Sequence, residues 1–292
     1  MTKLNSFQLG ELYRELRMAR GLKMKDVIND KLSQAQLSRF ENGQTMLSAD
    51  KLLVAISAIH MSLAEFEHAY HQYEDSSFFK QAKLISKYHS SKDIEKLKTL
   101  LTIYGDNHET YDIYNRLNKL VISCAIHDLN SENIISDSDK EFITTYLYSI
   151  EEWTEYELYI FGNTLQILSN SDLIFLGKAF TERDSIYLSI PNNKHRTQLV
   201  LLNLIFELLE RNNTYYTHYF VNHLESIVTY QDMFTRTVLI FLKKVLSYQE
   251  GKNITVMDLE NYIEDIKKLG HEDVAEFLQD NIANLTQNKK DT

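Results

Sequence analysis

The sequence predicts an all-α protein, and two observations support this fold class. The 292 residues contain only one proline and eight glycines, although strand-rich folds need turn residues about every 8–12 positions. Apolar residues recur at spacings of about three and four almost throughout, which is the period of an amphipathic helix. We predict two domains, residues 1–70 and residues 71–292, because a first segment of about 70 residues leaves some 220 for one large domain or an array.

The first domain has the pattern of five short helices. Apolar positions mark a first helix that ends near Gly21 and a second around Val27. Ser48 is placed to cap a fourth helix, and Ser62 with Glu65 forms a capping box that opens a fifth. The third helix, between them, carries the strongest functional signal.

This third helix, in the run SQAQLSRFENG at residues 33–43, has the features of a DNA-reading helix. Ser33 can cap its start, and Gly43 suits a left-handed cap at its end. Leu37 and Phe40 share one face that can pack on a neighbouring helix. The other side chains of the first turns are small or carry amides and could reach base edges: Gln34, Ala35, Gln36 and Ser38.

The order of helices, with its LR-x-x-R, S-Q and E-x-G elements, resembles the XRE (lambda-repressor-like) DNA-binding domain over residues 9–66. The resemblance implies that Gln34 and Gln36 meet base edges and that Arg39 reaches a phosphate or a guanine. It also implies that Glu41 pairs with a first-helix arginine in a structural role. The partner of Glu41 would be Arg14 or Arg17. Contacts to the DNA backbone would come from the basic residues of this segment: Arg14, Arg17, Arg20, Lys23 and Lys25. The alternative is a helical bundle whose glutamines are merely solvated.

Charge is divided unevenly along the chain. Residues 1–47 hold eight Lys/Arg against five Asp/Glu, a net charge of +3, and the remainder holds 23 against 36, a net charge of −13. A mildly basic end on an acidic chain can bind phosphate while the rest repels it. Because one such end attracts DNA weakly, we expect a homodimer that binds a two-fold site in double-stranded promoter DNA.

Several protein classes are excluded by what the sequence lacks. It has no run of about 18 apolar residues and no basic-then-apolar leader, which predicts a chain that neither spans a membrane nor is exported. Cys124 has no partner for an internal disulfide, which fits a reducing cytoplasm. His60, His68 and His71 lack carboxylates or thiols at metal spacing, so we expect no metal. We expect neither a cofactor nor enzymatic activity, because the sequence lacks a phosphate-binding loop, a nucleophile elbow and an HExxH pair.

The second domain is predicted to be an array of antiparallel helix pairs. From Thr154 onward the pairs repeat about every 40 residues, which is typical of a right-handed α-solenoid with a concave face, TPR-like but degenerate. Helices are predicted over residues 77–89, 92–104, 109–128, 137–150, 154–168, 171–187, 195–211, 214–230, 232–249, 255–268 and 271–287.

Polar residues recur 40 positions apart within this array. Asn163 and Asn203 each interrupt an apolar stretch, and Lys243 does so one repeat later. Because asparagine offers a donor and an acceptor, such a ladder could bind the backbone of an extended peptide. Alternatively, the amides join helices within the stack or cap buried carbonyls. Aromatic residues could line the same groove, although such stripes are more often core: Tyr215, Tyr216, Tyr219, Phe220, Tyr230 and Phe234.

The full chain resembles the Rgg family of regulators, of the RRNPP type, from low-GC Gram-positive bacteria. Two segments carry the resemblance beyond domain order: WTEYELYIFGN at residues 153–163 and LSQAQLSRFENG at residues 32–43. It implies a quorum-sensing regulator of nearby promoters that dimerises through the C-terminal end of the array. It also implies that a short hydrophobic signalling peptide binds after import. The head disulfide of some members is excluded, because residues 1–70 contain no cysteine.

In this interpretation Asn163, Asn203 and Lys243 hold the peptide, and its binding changes how well two heads match paired half-sites. The resemblance leaves open whether peptide turns DNA binding on, turns it off, or alters contact with RNA polymerase. The competing hypothesis is a dimeric DNA-binding regulator whose helical body binds a protein or a small molecule rather than a peptide.

Overall fold

The computed structural model describes residues 6–71, 77–102, 113–182, 188 and 190–286. Within those residues the regular structure is helical, apart from one isolated β-bridge between Asn29 and Leu32, so the all-α prediction is confirmed. The chain divides into two compact units, Met1–Lys87 and Tyr88–Thr292. The domain boundary predicted at residue 70 lies before this division and stays a prediction.

Among the described residues, the first unit contains five helices in the predicted order, followed by a sixth whose last three residues belong to the second unit. They are α1 (Ser6–Ala19), α2 (Met24–Val27), α3 (Gln34–Glu41), α4 (Ala49–Ala58), α5 (Leu63–Tyr70) and α6 (Ser77–Ser90). α1 packs on α3 and α5, and α2 packs on α3 and α4. The fully buried Tyr13 ring lies at the centre against Phe40 and Phe66, and its hydroxyl donates to the carbonyl of Ala55. Burial raises the pKa of Tyr13, which keeps the hydroxyl a neutral donor.

Gly10 allows α1 and α3 to cross at short range. A Cβ atom built on Gly10 would lie 1.8 Å from the carbonyl oxygen of Phe40, so a side chain does not fit there. Glycine inside a helix costs roughly 1 kcal/mol relative to alanine. The close crossing offsets that cost because it lets Leu9, Leu37 and Phe40 share one core.

The second unit contains ten further α-helices among the described residues. They are α7 (Ile94–Thr102), α8 (Ile113–Leu129), α9 (Asp137–Ser149), α10 (Glu155–Gly162), α11 (Asn170–Glu182), α12 (Pro191–Glu210), α13 (Thr214–Ile227), α14 (Met233–Gln249), α15 (Val256–Lys268) and α16 (Glu272–Thr286). Helices that alternate along the chain pack side by side: α8 on α10, α10 on α12, α12 on α14, and α14 on α16, with α9 on α11. This is the packing expected of stacked helix pairs.

Polar side chains tie these alternate helices together at the predicted period. Arg196 on α12 donates twice to Oε1 of Glu155, 41 residues earlier, at 3.0 and 2.6 Å. Gln249 at the end of α14 donates to the carbonyl of Leu209, 40 residues earlier, at 2.9 Å. The repeat of about 40 residues is therefore present in the contacts as well as in the sequence.

The prediction of one helix over residues 154–168 is wrong. α10 ends at Gly162, and a short 3-10 turn follows at Leu165–Ile167. The side chain of Asn163 ends α10 because its amide donates to the carbonyl of Tyr159 at 2.7 Å. A side chain that bonds its own backbone in this way competes with continuation of the helix.

The other predicted helices of the second domain begin and end within a few residues of the structural ones. Some of their predicted ends fall on residues 103–104, 109–112, 183–187 and 287, which lie outside the described residues.

Candidate functional site

α3 has one buried face and one exposed face. Leu37 and Phe40 are fully buried, and they fix the helix on the core of the first unit. Ser33 caps the start, where its hydroxyl oxygen accepts the backbone N–H of Gln36 at 3.3 Å. Gly43 follows the helix with φ at 67°, a conformation that favours glycine. The caps and core residues expected for this helix are therefore in place.

The exposed face of α3 carries the side chains predicted to meet bases. Gln34 and Arg39 are exposed, and Gln36 and Ser38 are half-buried. No described residue forms a hydrogen bond with the side chain of Gln34 or Arg39. Because neither side chain has an internal hydrogen bond to break, both are available to a ligand. Gln36 differs from them because its amide oxygen already accepts hydrogen bonds from Ser33.

Exposed cations lie on α1, on α2 and on the turn between them. Arg14 and Lys23 line an open depression of about 540 Å³ between α1, the turn that follows it and the end of α3. Lys25 and Arg20 are also exposed, and Arg20 donates to the carbonyl of Leu16 at 3.1 Å. Solvated cations of this kind can neutralise DNA phosphates.

Arg17 differs from the other predicted phosphate contacts, because it lies inside the first unit. Its side chain is 7 % exposed and that of Glu41 is fully buried. Nε and Nη2 of Arg17 donate to the two carboxylate oxygens of Glu41, each at 2.7 Å, and Nη1 donates to the carbonyl of Leu22. The hydrogen bond to Glu41 raises the pKa of Arg17. Arg17, rather than Arg14, is thus the partner of Glu41. The prediction that Arg17 contacts phosphate is wrong, because its guanidinium is buried in this ion pair.

The three residues predicted to form a ladder are all exposed, but each already has a partner. Asn163 caps α10, as described above. Nδ2 of Asn203 on α12 donates to the carbonyl of Gly162 at 3.2 Å, which brings Asn203 beside Asn163. Lys243 on α14 forms an ion pair with Glu225 at 2.5 Å. The structure brings the two asparagines together, and it records no contact between Lys243 and either of them.

The segment at residues 153–163 is explained by the way α10 is built. Trp153 lies just before α10, and its ring packs against that of Phe161, with ring centroids 5.1 Å apart. Thr154 and Glu157 form a capping box, and Tyr146 donates to the same carboxylate at 2.7 Å. Although burial raises the pKa of Glu157, the hydrogen bonds from Thr154 and Tyr146 lower it overall. The segment thus forms a helix, α10, whose start is fixed by the capping box and whose end is fixed by the Asn163 side chain.

Arg211 is a positioning residue that the sequence analysis missed. It donates to the carbonyls of Leu165, Gln166 and Leu168, which follow the break after Asn163. The carbonyl of Leu165 also accepts the backbone N–H of Leu168 at 3.2 Å, whereas those of Gln166 and Leu168 have no backbone donor among the described residues, and the guanidinium satisfies them. The only sequence signal is an arginine at a helix end, which is too common to single it out. The second missed feature, the bond from Ser33 to Gln36, has a recognisable S-x-x-Q spacing.

The comparison with protein families decides the identity of the chain. Residues 98–280, more than half of the sequence, match the model of the C-terminal domain of the HTH-type transcriptional regulator Rgg. The chain belongs to the Rgg family. The Rgg family is one of transcriptional regulators and not of enzymes. Among the described residues of this Rgg chain, no helix is long and apolar enough to cross a membrane. No cluster of three His, Cys, Asp or Glu that could hold a metal occurs there either.

Solved structures share the fold of this Rgg chain over nearly its whole length. The SHP pheromone receptor Rgg2 of Streptococcus dysgalactiae is 20% identical, with a TM-score of 0.77, over 94% of this chain and 98% of that one. A protein of Listeria monocytogenes EGD-e assigned as a transcriptional regulator is 21% identical, with a TM-score of 0.79, over 98% and 99% of the two chains. PrgX in its complex with iCF10 is 17% identical, with a TM-score of 0.70, over 98% of each chain.

Proposed function

We propose that this Rgg-family regulator binds double-stranded promoter DNA by inserting α3 into the major groove. One observation carries the proposal: the exposed face of α3 presents Gln34 and Arg39 without internal hydrogen bonds, while its other face is held by a buried core. An amide and a guanidinium are the groups that read adenine and guanine edges. Ser38 and Gln36 lie on the same helix, and Arg14, Lys23 and Lys25 supply phosphate contacts.

Fluorescence anisotropy with a promoter fragment from beside the gene tests this proposal. The double variant Gln34→Ala, Arg39→Ala should lose specific binding, because it removes two base-reading groups that have no role in the folded core. Ser57→Ala, an exposed position on α4, serves as the control and should bind like the wild type. If the double variant bound its promoter normally, α3 would not be the recognition helix.

We propose further that a short hydrophobic signalling peptide binds the surface formed by α10, α12 and α14. The described contacts use one donor of Asn163 and one of Asn203, which leaves the second N–H and the oxygen of each amide for a peptide backbone. Leu199 and Phe206 lie one turn on either side of Asn203 and are half-buried. The surface therefore combines amide groups with apolar side chains, as an extended apolar peptide requires.

Lys243 provides a charged end to this proposed site. Its ion pair with Glu225 joins side chains that are 46% and 44% exposed, and exposed pairs of this kind contribute about 0–1 kcal/mol. A peptide carboxylate could therefore replace Glu225 at little cost. Ile240, one turn before Lys243 and 46% exposed, offers an apolar contact next to the charge.

Two solved relatives support the choice of ligand class: Rgg2 is described as an SHP pheromone receptor, and PrgX was solved in complex with iCF10. To test it, the anisotropy titration is repeated with short hydrophobic peptides encoded near the gene, using wild type, Asn163→Ala and Asn203→Ala. Both variants should lose the peptide response. Asn281→Ala is the matched control, since Asn281 makes the same amide-to-carbonyl bond within α16, to Phe277 at 2.7 Å. Specific DNA binding that no peptide alters would favour a protein or a small molecule as the ligand.

We also propose that the regulator acts in the cytoplasm as a homodimer whose two first units bind the two halves of an operator. The net charge of only +3 over residues 1–47 supports this, because a single copy would bind DNA weakly. Sedimentation of the full chain with and without operator DNA tests the stoichiometry. A peptide that changes transcription without changing DNA affinity would indicate contact with RNA polymerase.

A further inference from the structure

Gln36 and Gln34 lie on the same helix but differ in the state of their amide groups. Oε1 of Gln36 accepts the backbone N–H of Ser33 at 3.2 Å and the hydroxyl of Ser33 at 3.3 Å. In return, the hydroxyl oxygen of Ser33 accepts the backbone N–H of Gln36 at 3.3 Å. The side chain of Gln36 is therefore one half of a capping box, whereas that of Gln34 is exposed and unbonded.

The chemistry of Ser33 fixes which atom of the Gln36 amide faces the cap. A backbone N–H can only donate, so the amide atom opposite it must be the oxygen and not the nitrogen. Nε2 occupies the other branch of the planar amide group, and no described residue accepts a hydrogen bond from it. Gln36 thus presents donors alone, while Gln34 can present a donor and an acceptor together.

We infer that Gln36 is a donor-only specificity residue that selects guanine, an inference that rests on the proposed binding of DNA by α3. A glutamine needs its oxygen to accept from N6 of adenine and its nitrogen to donate to N7. Gln36 cannot supply that oxygen unless the cap of α3 opens. Guanine presents two neighbouring acceptors, O6 and N7, and these match the two N–H groups of Nε2. Gln34, with both halves of its amide unbonded, reads adenine.

The substitution Gln36→Glu changes the group that faces the base and keeps the one that caps the helix. Glutamate is the usual residue at this position of a capping box, so α3 should keep its start. The second oxygen, however, replaces the donor with an acceptor. Acceptors of this kind favour cytosine, whose N4 is a donor. The variant Gln36→Glu should therefore exchange a guanine for a cytosine preference at one position of each half-site.

The experiment begins with full-length wild-type protein and a random double-stranded DNA library, from which bound sequences are selected. Affinities are then measured for every single base-pair change of the selected site, for wild type, Gln36→Glu and Gln34→Glu. We expect Gln36→Glu to change the guanine-to-cytosine ratio roughly tenfold or more at one position. Gln34→Glu, the matched control, should act at a different position, where the wild type selects adenine. Circular dichroism checks that both variants keep their helix content.

A second measurement leaves the protein unchanged. The guanine assigned to Gln36 is replaced in the DNA by 7-deazaguanine, which lacks the N7 acceptor, and wild-type binding should weaken several-fold. The variant Gln36→Ala should be indifferent to the same replacement. Adenine at the position that responds to Gln36 variants, or equal binding of guanine and 7-deazaguanine by the wild type, would overturn the inference. Failure of the wild type to select any sequence would refute the DNA-binding function itself.

Discussion

The close crossing of α1 and α3 at Gly10 makes a strong prediction about the substitution Gly10→Ala. Helix propensity alone would make alanine more stable by roughly 1 kcal/mol. The structure predicts the opposite sign, because the new Cβ atom would lie 1.8 Å from the carbonyl oxygen of Phe40, whereas ordinary contact begins at 3.4 Å. The two helices would have to separate locally by about 1.6 Å.

The magnitude follows from what that separation disrupts. The paired bonds between Arg17 and Glu41 span the same two helices at 2.7 Å, and a shift of this size would break them. Loss of a buried ion pair costs about 3–5 kcal/mol when a charge stays buried, and overpacking costs about 1–3 kcal/mol. The loss of the ion pair alone, less the gain in propensity, gives about 2–4 kcal/mol, and we expect Gly10→Ala to destabilise the first unit by at least this amount because overpacking adds to it.

The assay can follow the two units separately because the single tryptophan, Trp153, lies in the second unit. In a urea titration, circular dichroism reports both units, and tryptophan fluorescence reports only the second. For Gly10→Ala we expect an earlier helical transition with an unchanged fluorescence transition. Glu11→Ala, at the neighbouring exposed position of α1, is the control and should leave both transitions in place. A variant as stable as the wild type by circular dichroism would refute the reasoning from the close crossing.

Three further predictions concern single side chains. Arg14→Ala should lower DNA affinity for all sequences alike and reduce the slope of log affinity against log salt concentration by about 1. Stability should not change, because Arg14 is exposed. An unchanged slope would show that Arg14 does not contact DNA. Arg211→Ala should destabilise the second unit by about 2–3 kcal/mol in urea, since buried carbonyls lose their donor, while the exposed Arg236→Ala should not. Asp232→Asn should flatten the acid dependence of stability of the second unit. Burial raises the pKa of Asp232, but bonds from the N–H and hydroxyl of Thr229 bring it well below the ordinary value of 3.8. Asp232 therefore stabilises the wild type fully above pH 3.8, and this stability is lost as pH falls towards the folded pKa. Urea midpoints at neutral and low pH measure the effect, and an equal loss of stability by wild type and Asp232→Asn would contradict it.

The helices of this chain could be predicted because their ends are marked by local chemistry. Capping residues such as Ser33, Ser62 and Thr154 precede apolar periods, and each of them caps a helix in the structure. The break after Gly162 could not be seen in the same way, because apolar residues continue on both sides of Asn163. Periodicity reports which face is buried, and it is insensitive to a cap that forms within an apolar run.

The positions of the candidate DNA-binding residues could also be predicted from local chemistry. The outward position of Gln34 and Arg39 follows from the helical period and the inward Leu37 and Phe40. The choice between Arg14 and Arg17 was also open to that reasoning, because Arg17 lies one turn after the buried Tyr13 and therefore on the core side. The orientation of the Gln36 amide was open to the same reasoning, because the S-x-x-Q spacing of a capping box directs the amide oxygen to the N–H of Ser33.

The ties between alternate helices have a consequence for the evolution of this array. Several of them end on main-chain oxygens: Asn203 donates to the carbonyl of Gly162, and Gln249 donates to that of Leu209. Every residue type has such a carbonyl, so an accepting position such as Leu209 does not need a particular side chain for the tie; at Gly162 the constraint is steric, because a Cβ atom there would lie 2.9 Å from Val200. Only the donor has to be kept. Repeats joined in this way can drift apart in sequence while their register persists, which explains why the array follows no tight consensus.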